Sequence, residues 1–175
     1  MVHKFIQVTP QELQRHLSTT PIYYGDLATA AGTLRIYATD RGIFETHFCA
    51  PKTIQEKYPN ALPFTTDQLT QLLQQKNLPL FITGTDFQRD VWRATCSIPA
   101  GTTESYSSLA QKIGQPKAFR AVARALATNH IAYFIPCHRV IAKNGAISGY
   151  AWGVTIKEDL LREEQYTPQT DAFSY

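Results

Sequence analysis

Apolar positions change their spacing near residue 84. Before it they cluster in short β-rich runs. Residues 34–38 and 43–48 are two such runs, and Thr39-Asp40-Arg41-Gly42 between them reads as a hairpin turn. Thr66-Asp67 can cap a helix whose apolar face is Leu69, Leu72 and Leu73. Residues 80–83 read as a short strand that Gly84 ends. After it the spacing is helical: Phe87, Val91, Trp92 and Thr95 share one face. Pro99-Ala100-Gly101 is a turn, and Ser105 precedes a short helix bearing Tyr106, Leu109, Ala110 and Ile113. Gly114-Gln115-Pro116 breaks the chain, and a second helix is predicted over 117–128. Two short helices around a glycine-containing turn form a helix-turn-helix pattern. A last helix spans 156–165, and the polar tail 166–175 is expected to be loose. The pattern therefore predicts an α+β protein with an N-terminal part over 1–80 and a mainly helical part over 85–165.

Composition narrows the function classes. Of 175 residues 43% are hydrophobic, so a sizeable core is expected. The formal charge of +3 excludes a grossly basic nucleic-acid coat but leaves room for a local basic face. No apolar run has the length of a membrane span. Residues 1–10 lack the pattern of a signal peptide, so a cytosolic protein without membrane partners is expected. Cys49, Cys96 and Cys137 are widely spaced and form no CxxC pair, which argues against a closed zinc site. Cys49 and Cys96 are expected to be small buried hydrophobes. His3, His16 and His47 are scattered, and none is expected to be a ligand.

The second helix of the pair has two faces. Phe119, Val122, Ala123 and Leu126 form a predicted core stripe, and Lys117, Arg120 and Arg124 share another side. Three cations there suit a phosphate backbone, or simply a solvated surface. Asn129 follows the helix and reads first as a C-terminal cap.

The run Ile135-Pro136-Cys137-His138-Arg139-Val140 carries the chemistry. A free thiol is mostly protonated at neutral pH, so a reactive Cys137 needs a base or a nearby positive charge. His138 could serve, in direct contact or through a water. Glu164 lies on the apolar stripe of Leu160 and Leu161, where a carboxylate is costly unless paired. Cys137, His138 and Glu164 are thus a candidate relay, with a helix-end cap or salt bridge as the alternative for Glu164.

Together these segments resemble the methylated-DNA–protein-cysteine methyltransferases. The likeness rests on Gly84-Thr85-Asp86-Phe87-Gln88, Val91-Trp92, Ile98-Pro99-Ala100-Gly101, Ser105-Tyr106, Arg120-Ala121-Val122-Ala123, the run from Ile135 to Val140, Ser148-Gly149-Tyr150, and Lys157 with Leu160, Leu161 and Glu164. It implies a ribonuclease-H-like N-terminal scaffold and a winged helix-turn-helix-like DNA-binding part. It implies a single irreversible transfer of an alkyl group from O6-alkylguanine in double-stranded DNA to Cys137, with O4-alkylthymine as a second candidate substrate. No metal or organic cofactor is implied, and the protein is expected to be a monomer. In that reading His138 deprotonates Cys137, Glu164 orients His138, Tyr106 assists the leaving guanine, and Asn129 holds the turn before the nucleophile. Arg120 fills the gap left by the extruded base as the helix docks in the minor groove. Gln88, Ser107, Gln115, Lys117 and Arg124 are implied DNA contacts. Val140, Lys143, Tyr150, Ala151 and Trp152 are implied around the base pocket.

Two positions depart from the common pattern. Trp152-Gly153 replaces a frequent Gly-Gly and is similar to the Ada branch of the family. A bulky indole there is expected to narrow the pocket against large substituents such as benzyl. His130 stands where proline is common, which predicts a less rigid turn. Two other function classes compete: a DNA-binding regulator with a structural cysteine, and a Cys-His-Glu thiol hydrolase.

Overall fold

The structure, a computed structural model, describes residues 2–48, 57–147 and 149–165. The expectations for Cys49, Ser148 and the tail 166–175 fall outside these residues. The architecture is α+β, built on one mixed sheet.

The predicted hairpin forms from strands β3 (Gly32–Thr39) and β4 (Gly42–Phe48). Glycine is required at its exit, because Gly42 has φ +152 and a Cβ there would lie 2.6 Å from the Pro79 carbonyl oxygen. Strand β2 (Tyr23–Thr29) completes an antiparallel meander with β3. On the other side β6 (Asn77–Ile82) runs parallel to β4, and β1 (Val2–Gln7) runs parallel to β6. A short β5 (Leu62–Pro63) closes the order β1-β6-β4-β3-β2-β5. Most of β3, β4 and β6 is buried, and the buried positions include the polar Thr39, Glu45 and Thr46 beside the apolar ones.

Helix α1 (Pro10–Thr19) buries no residue fully and has no apolar run to reveal it. Its signal is the capping box: Thr9 Oγ1 accepts from Glu12 N, Glu12 accepts from Thr9 N, and Pro10 fills the first turn. In α2 (Thr66–Leu73) the cap is Thr65 rather than Thr66-Asp67, because Gln68 stands three residues on and closes the box.

The second part packs α3 (Asp86–Cys96), α4 (Tyr106–Lys112), α5 (Phe119–Ala127) and α6 (Val154–Glu163) onto the sheet. Trp92 Nε1–H donates to Ala125 O at 3.0 Å and locks α3 against α5. Helix α5 starts two residues later than expected, since Ala118 N–H is held by Gln115 O in the preceding turn. Its buried stripe is Val122, Ala125 and Leu126, whereas Phe119 is 44% exposed and Ala123 half-buried. The predicted stripe was therefore rotated by about one position. Among the described residues no helix is long and apolar enough to cross a membrane.

Leu34, Ile36 and Leu80 of the sheet share one apolar cluster with Trp92, Leu109, Ile135 and Leu160. The link that matters for the site is Thr46. Where β4 leaves β6, Thr46 N–H donates to His130 O at 2.9 Å and Thr46 Oγ1 to Ala132 O at 3.0 Å. Strand β4, inside the sheet, thus holds the segment that leads to Cys137.

Candidate active site

The approach to Cys137 is organised by Asn129. It is 3% exposed, and its amide satisfies three groups. Oδ1 accepts from Ile131 N–H at 2.9 Å, while Nδ2 donates to Ile135 O at 3.0 Å and to the Cys137 sulfur at 3.1 Å. Its backbone is not left-handed, so the cap reading is replaced by a side-chain clasp. The strained residue of this segment is Tyr133, with φ 74, a conformation that bulky side chains adopt only when their surroundings impose it. Its neighbours Ala132, Phe134 and Ile135 are all buried, which fixes the turn.

Pro136 then delivers a short 3-10 turn, Cys137–Arg139. Cys137 is 4% exposed. Burial pushes its thiol pKa up, opposed by the Asn129 hydrogen bond, the Tyr150 hydroxyl and the Lys157 ammonium. The Tyr150 hydroxyl lies close enough to perturb the thiol, but its geometry falls short of a hydrogen bond. Cys137 is therefore a protonated thiol whose surroundings favour the thiolate once it forms.

His138 is 1% exposed, and its Nε2–H donates to Glu164 Oε1 at 3.1 Å. That bond fixes the tautomer and leaves Nδ1 as the basic atom, buried and unpaired among the described residues. Burial lowers the His138 pKa and Glu164 only partly restores it, so the ring is neutral at pH 7 and able to accept a proton. No direct hydrogen bond joins His138 to Cys137 among the described residues.

Glu164 both orients His138 and forms an ion pair. Arg139 grips its carboxylate through Nε (3.1 and 3.0 Å) and Nη2 (2.6 Å), and Arg139 Nη1–H donates to Ile98 O at 2.6 Å. Gly101 N–H adds a contact at 3.3 Å, and a Cβ on Gly101 would strike the Glu164 carbonyl oxygen at 2.8 Å. Burial alone would raise the Glu164 pKa, but hydrogen bonds from His138 and Arg139 outweigh it and hold it at about 2. Arg139, which directly follows His138 in the chain, is thus spent on the carboxylate.

Above the sulfur lies a cavity of about 330 Å³. Cys137 and Leu126 line it with Tyr106 from the start of α4, and Ala123 and Ala127 from α5. Gly149, Tyr150 and Ala151 form the other wall. Strand β7 (Glu104–Ser105) pairs with β8 (Val140–Ile141), which ties the exit of the Cys137 turn to the start of α4 and so sets Tyr106 opposite Cys137.

Several sequence-predicted residues sit elsewhere. Val140 is fully buried behind the site, and Lys143 is exposed away from the cavity lining. Trp152 does not line the cavity; its ring packs on Tyr150 (centroids 5.3 Å apart) and Phe48 (6.5 Å). The indole thus buttresses the wall instead of narrowing the pocket. Gln88 closes the α3 capping box and donates to Thr128 Oγ1 at 3.0 Å, so its amide is already engaged. Ser107 is hydrogen-bonded to Ser105 at 2.9 Å. Gln115, Lys117, Arg120 and Arg124 are exposed. His130 is held through its backbone by Thr46 and edge-on against Trp92, so this turn is tied down without proline. Cys96 is half-buried, its thiol pushed up to about 12 by burial, as expected of a structural cysteine.

Lys157 carries part of the likeness in sequence, but sequence reasoning gave it no role at the site. It is fully buried, donates to Val140 O at 2.6 Å, and burial lowers its pKa to about 8. It precedes Leu160, Leu161 and Glu164 on one helical stripe, so the argument that flagged Glu164 could have found it.

These pKa shifts predict the acid response. His3, His130 and His138 all have folded values below the unfolded 6.5, so the unfolded chain takes up more protons as pH falls through 6.5 and stability declines. Glu45 and Glu164, each near 2 against 4.5, add stability above 4.5 that is lost as pH drops toward 2. Thermal melts should show a first fall in Tm below about pH 6.5 and a steeper one below about pH 4.5. A Tm unchanged between pH 7.5 and 5.5 would contradict the histidine assignment.

Comparison with known proteins agrees with this geometry. The family model described as 6-O-methylguanine DNA methyltransferase, DNA binding domain, matches residues 86–166. The regulatory protein Ada of Salmonella typhimurium is 56% identical over 88 residues, 50% of this chain and 25% of that protein. The chain therefore spans only about a quarter of that relative's length. A methylated-DNA–protein-cysteine methyltransferase of Methanosarcina barkeri is 37% identical over 154 residues, covering 82% of this chain and 98% of that one. The crystal structure of Mycobacterium tuberculosis OGT in complex with DNA is similar with a TM-score of 0.66 and 31% identity, covering 82% of this chain and 93% of that one. With near-complete coverage of a relative at that identity, this chain belongs to the methylated-DNA–protein-cysteine methyltransferase family.

Proposed function

We propose that this protein repairs O6-alkylguanine in double-stranded DNA by one irreversible transfer of the alkyl group to Cys137. The observation that carries the reading is a buried thiol, held by the Asn129 amide, at a cavity that also presents the Tyr106 side chain. The Cys137 sulfur attacks the alkyl carbon, an S–C bond forms, and the C–O6 bond breaks. The thiol proton passes to His138 Nδ1, directly or through a water, and the Glu164 carboxylate stabilises the imidazolium. The Tyr106 hydroxyl donates a proton or a hydrogen bond to the departing guanine. The proton held on His138 makes good that loss through solvent, so the net change is transfer of the thiol proton to guanine. Lys157 stabilises the transient thiolate. The thioether product is stable, so each molecule acts once.

Because Cys137 is buried, the target base must leave the duplex and enter the cavity. The α4–α5 pair would act as a winged helix-turn-helix in the minor groove, with Lys117, Arg120 and Arg124 of its exposed side toward DNA. The N-terminal part would serve as a ribonuclease-H-like scaffold for this alkyl-acceptor part, in an intracellular monomer. A metal or cofactor has no role in the transfer.

Intact-mass spectrometry after incubation with duplex O6-methylguanine DNA should show a gain of one CH2 unit, located on Cys137 by peptide mapping. An unchanged mass removes the reading. Trp152 bears on substrate size through Tyr150, so Trp152→Ala should slow methyl and benzyl transfer alike, by about threefold to tenfold, as expected when a packed aromatic support is lost. A selective gain in benzyl transfer would restore the narrowing role.

A further inference from the structure

Phe119 is the residue the core did not take. It is one of three large hydrophobics exposed among the described residues, and it opens helix α5 next to Arg120. Helical spacing places Phe119, Ala123 and Ala127 on one side of α5, at i, i+4 and i+8. Ala123 and Ala127 line the cavity of Cys137. Phe119 therefore stands on the cavity side of the helix, about 6 Å beyond its lining along the axis. The Arg120 guanidinium lies 5.6 Å from the Phe119 ring centroid, within cation–π range. Lys117 and Arg124 are exposed on the same helix and its lead-in, and the first turn of α5 carries no acidic residue.

We propose that Phe119 is the apolar half of a two-residue wedge, with Arg120 as the charged half, that pries open duplex DNA beside the extruded nucleotide. The inference rests on the transfer reading above and adds to it a residue that acts on the duplex. An exposed ring flanked by cations suits a polyanion with stacked aromatic bases: the cations hold phosphate, and the ring gains contact only where stacking has been broken. The ring covers the base step that loses its neighbour, and Arg120 reaches the vacated partner. Small side chains at Ala121, Ala123 and Ala127 allow the helix to approach closely enough for this.

Single-turnover alkyl transfer can test the wedge with Phe119→Ala and Phe119→Leu, using methyl transfer from duplex O6-methylguanine DNA and benzyl transfer from the free base O6-benzylguanine in parallel. The free base needs no extrusion. The alanine variant should lower the ratio of duplex to free-base rate by about tenfold, the scale of losing one aromatic–base stack, with leucine between alanine and wild type. Fluorescence of 2-aminopurine beside the lesion should fall with it. An unchanged ratio in Phe119→Ala, or equal slowing on both substrates, overturns the wedge alone. A wild-type chain that takes up no alkyl group from either substrate overturns the transfer reading and the wedge with it.

Discussion

Cys137→Ser should abolish alkyl uptake from methylated duplex DNA while leaving the fold and DNA binding in place. The serine hydroxyl is nearly isosteric, and Asn129 Nδ2–H can donate to its oxygen as it does to sulfur. What is lost is the nucleophile. An alcohol is a harder nucleophile and a far weaker acid than a thiol, and His138, whose basicity burial lowers, is a poor base for it. The transfer rate should fall by about 10⁴-fold or more, the scale of removing a nucleophile from a cooperating set. Tm should change by only a few degrees, because no buried partner is orphaned. The experiment also separates the other function classes. A DNA-binding regulator with a structural cysteine would show no methyl uptake even in the wild type. A thiol hydrolase would turn over repeatedly in the wild type, whereas an alkyl acceptor stops at one methyl per protein. Measurable uptake by the serine variant would place the acceptor on another residue.

What the sequence reveals about this protein follows from where information is local. The β3–β4 hairpin is legible because both strands are buried and their turn ends at Gly42, which the backbone of Pro79 crowds. Helices α3 and α4 are legible from spacing and from Thr85 and Ser105 as caps. Strands β1 and β2 carry mixed patterns whose pairing is set by distant partners, so nothing local marks them. The phase of α5 was misread because residues 117–118 look helical while their hydrogen bonds belong to a turn. At the site, the contact of Glu164 with His138 was legible from one carboxylate on an apolar stripe. The salt bridge of Glu164 was legible only as an alternative without a partner, since nothing in the sequence aims the Arg139 side chain at a carboxylate 25 residues on. The role of Trp152 was misjudged for the same reason: proximity along the chain to Tyr150 and Ala151 does not say which side of the wall a ring occupies. Charge on buried stripes is readable from sequence, and the direction of a side chain in a loop is not.

Asn129 is the position where stability and chemistry meet, and Asn129→Ala should damage both. The substitution leaves Ile131 N–H without its acceptor and Ile135 C=O without its donor, in a segment whose flanking side chains are buried. Each such group costs about 1–3 kcal/mol, so a loss of about 3 kcal/mol is expected, a large share of a typical domain's stability. The thiolate also loses the Asn129 N–H as a hydrogen-bond donor. A hydrogen bond to a charged group contributes about 1.5–3 kcal/mol, so the transfer rate should drop about 10- to 100-fold beyond any loss of folded protein. Asn129→Asp distinguishes the two effects. It keeps an oxygen for Ile131 N–H, which preserves the turn, but offers the sulfur an acceptor or a negative charge in place of N–H. Its Tm should lie above that of the alanine variant while its transfer rate is no higher. Its pH–rate profile should move toward higher pH, because the thiol ionises less readily beside a carboxylate. If the aspartate variant transferred methyl at the wild-type rate, Asn129 would be a holder of the turn and nothing more. If both variants lost rate in proportion to their loss of Tm, the 3.1 Å contact with sulfur would have no part in activating it.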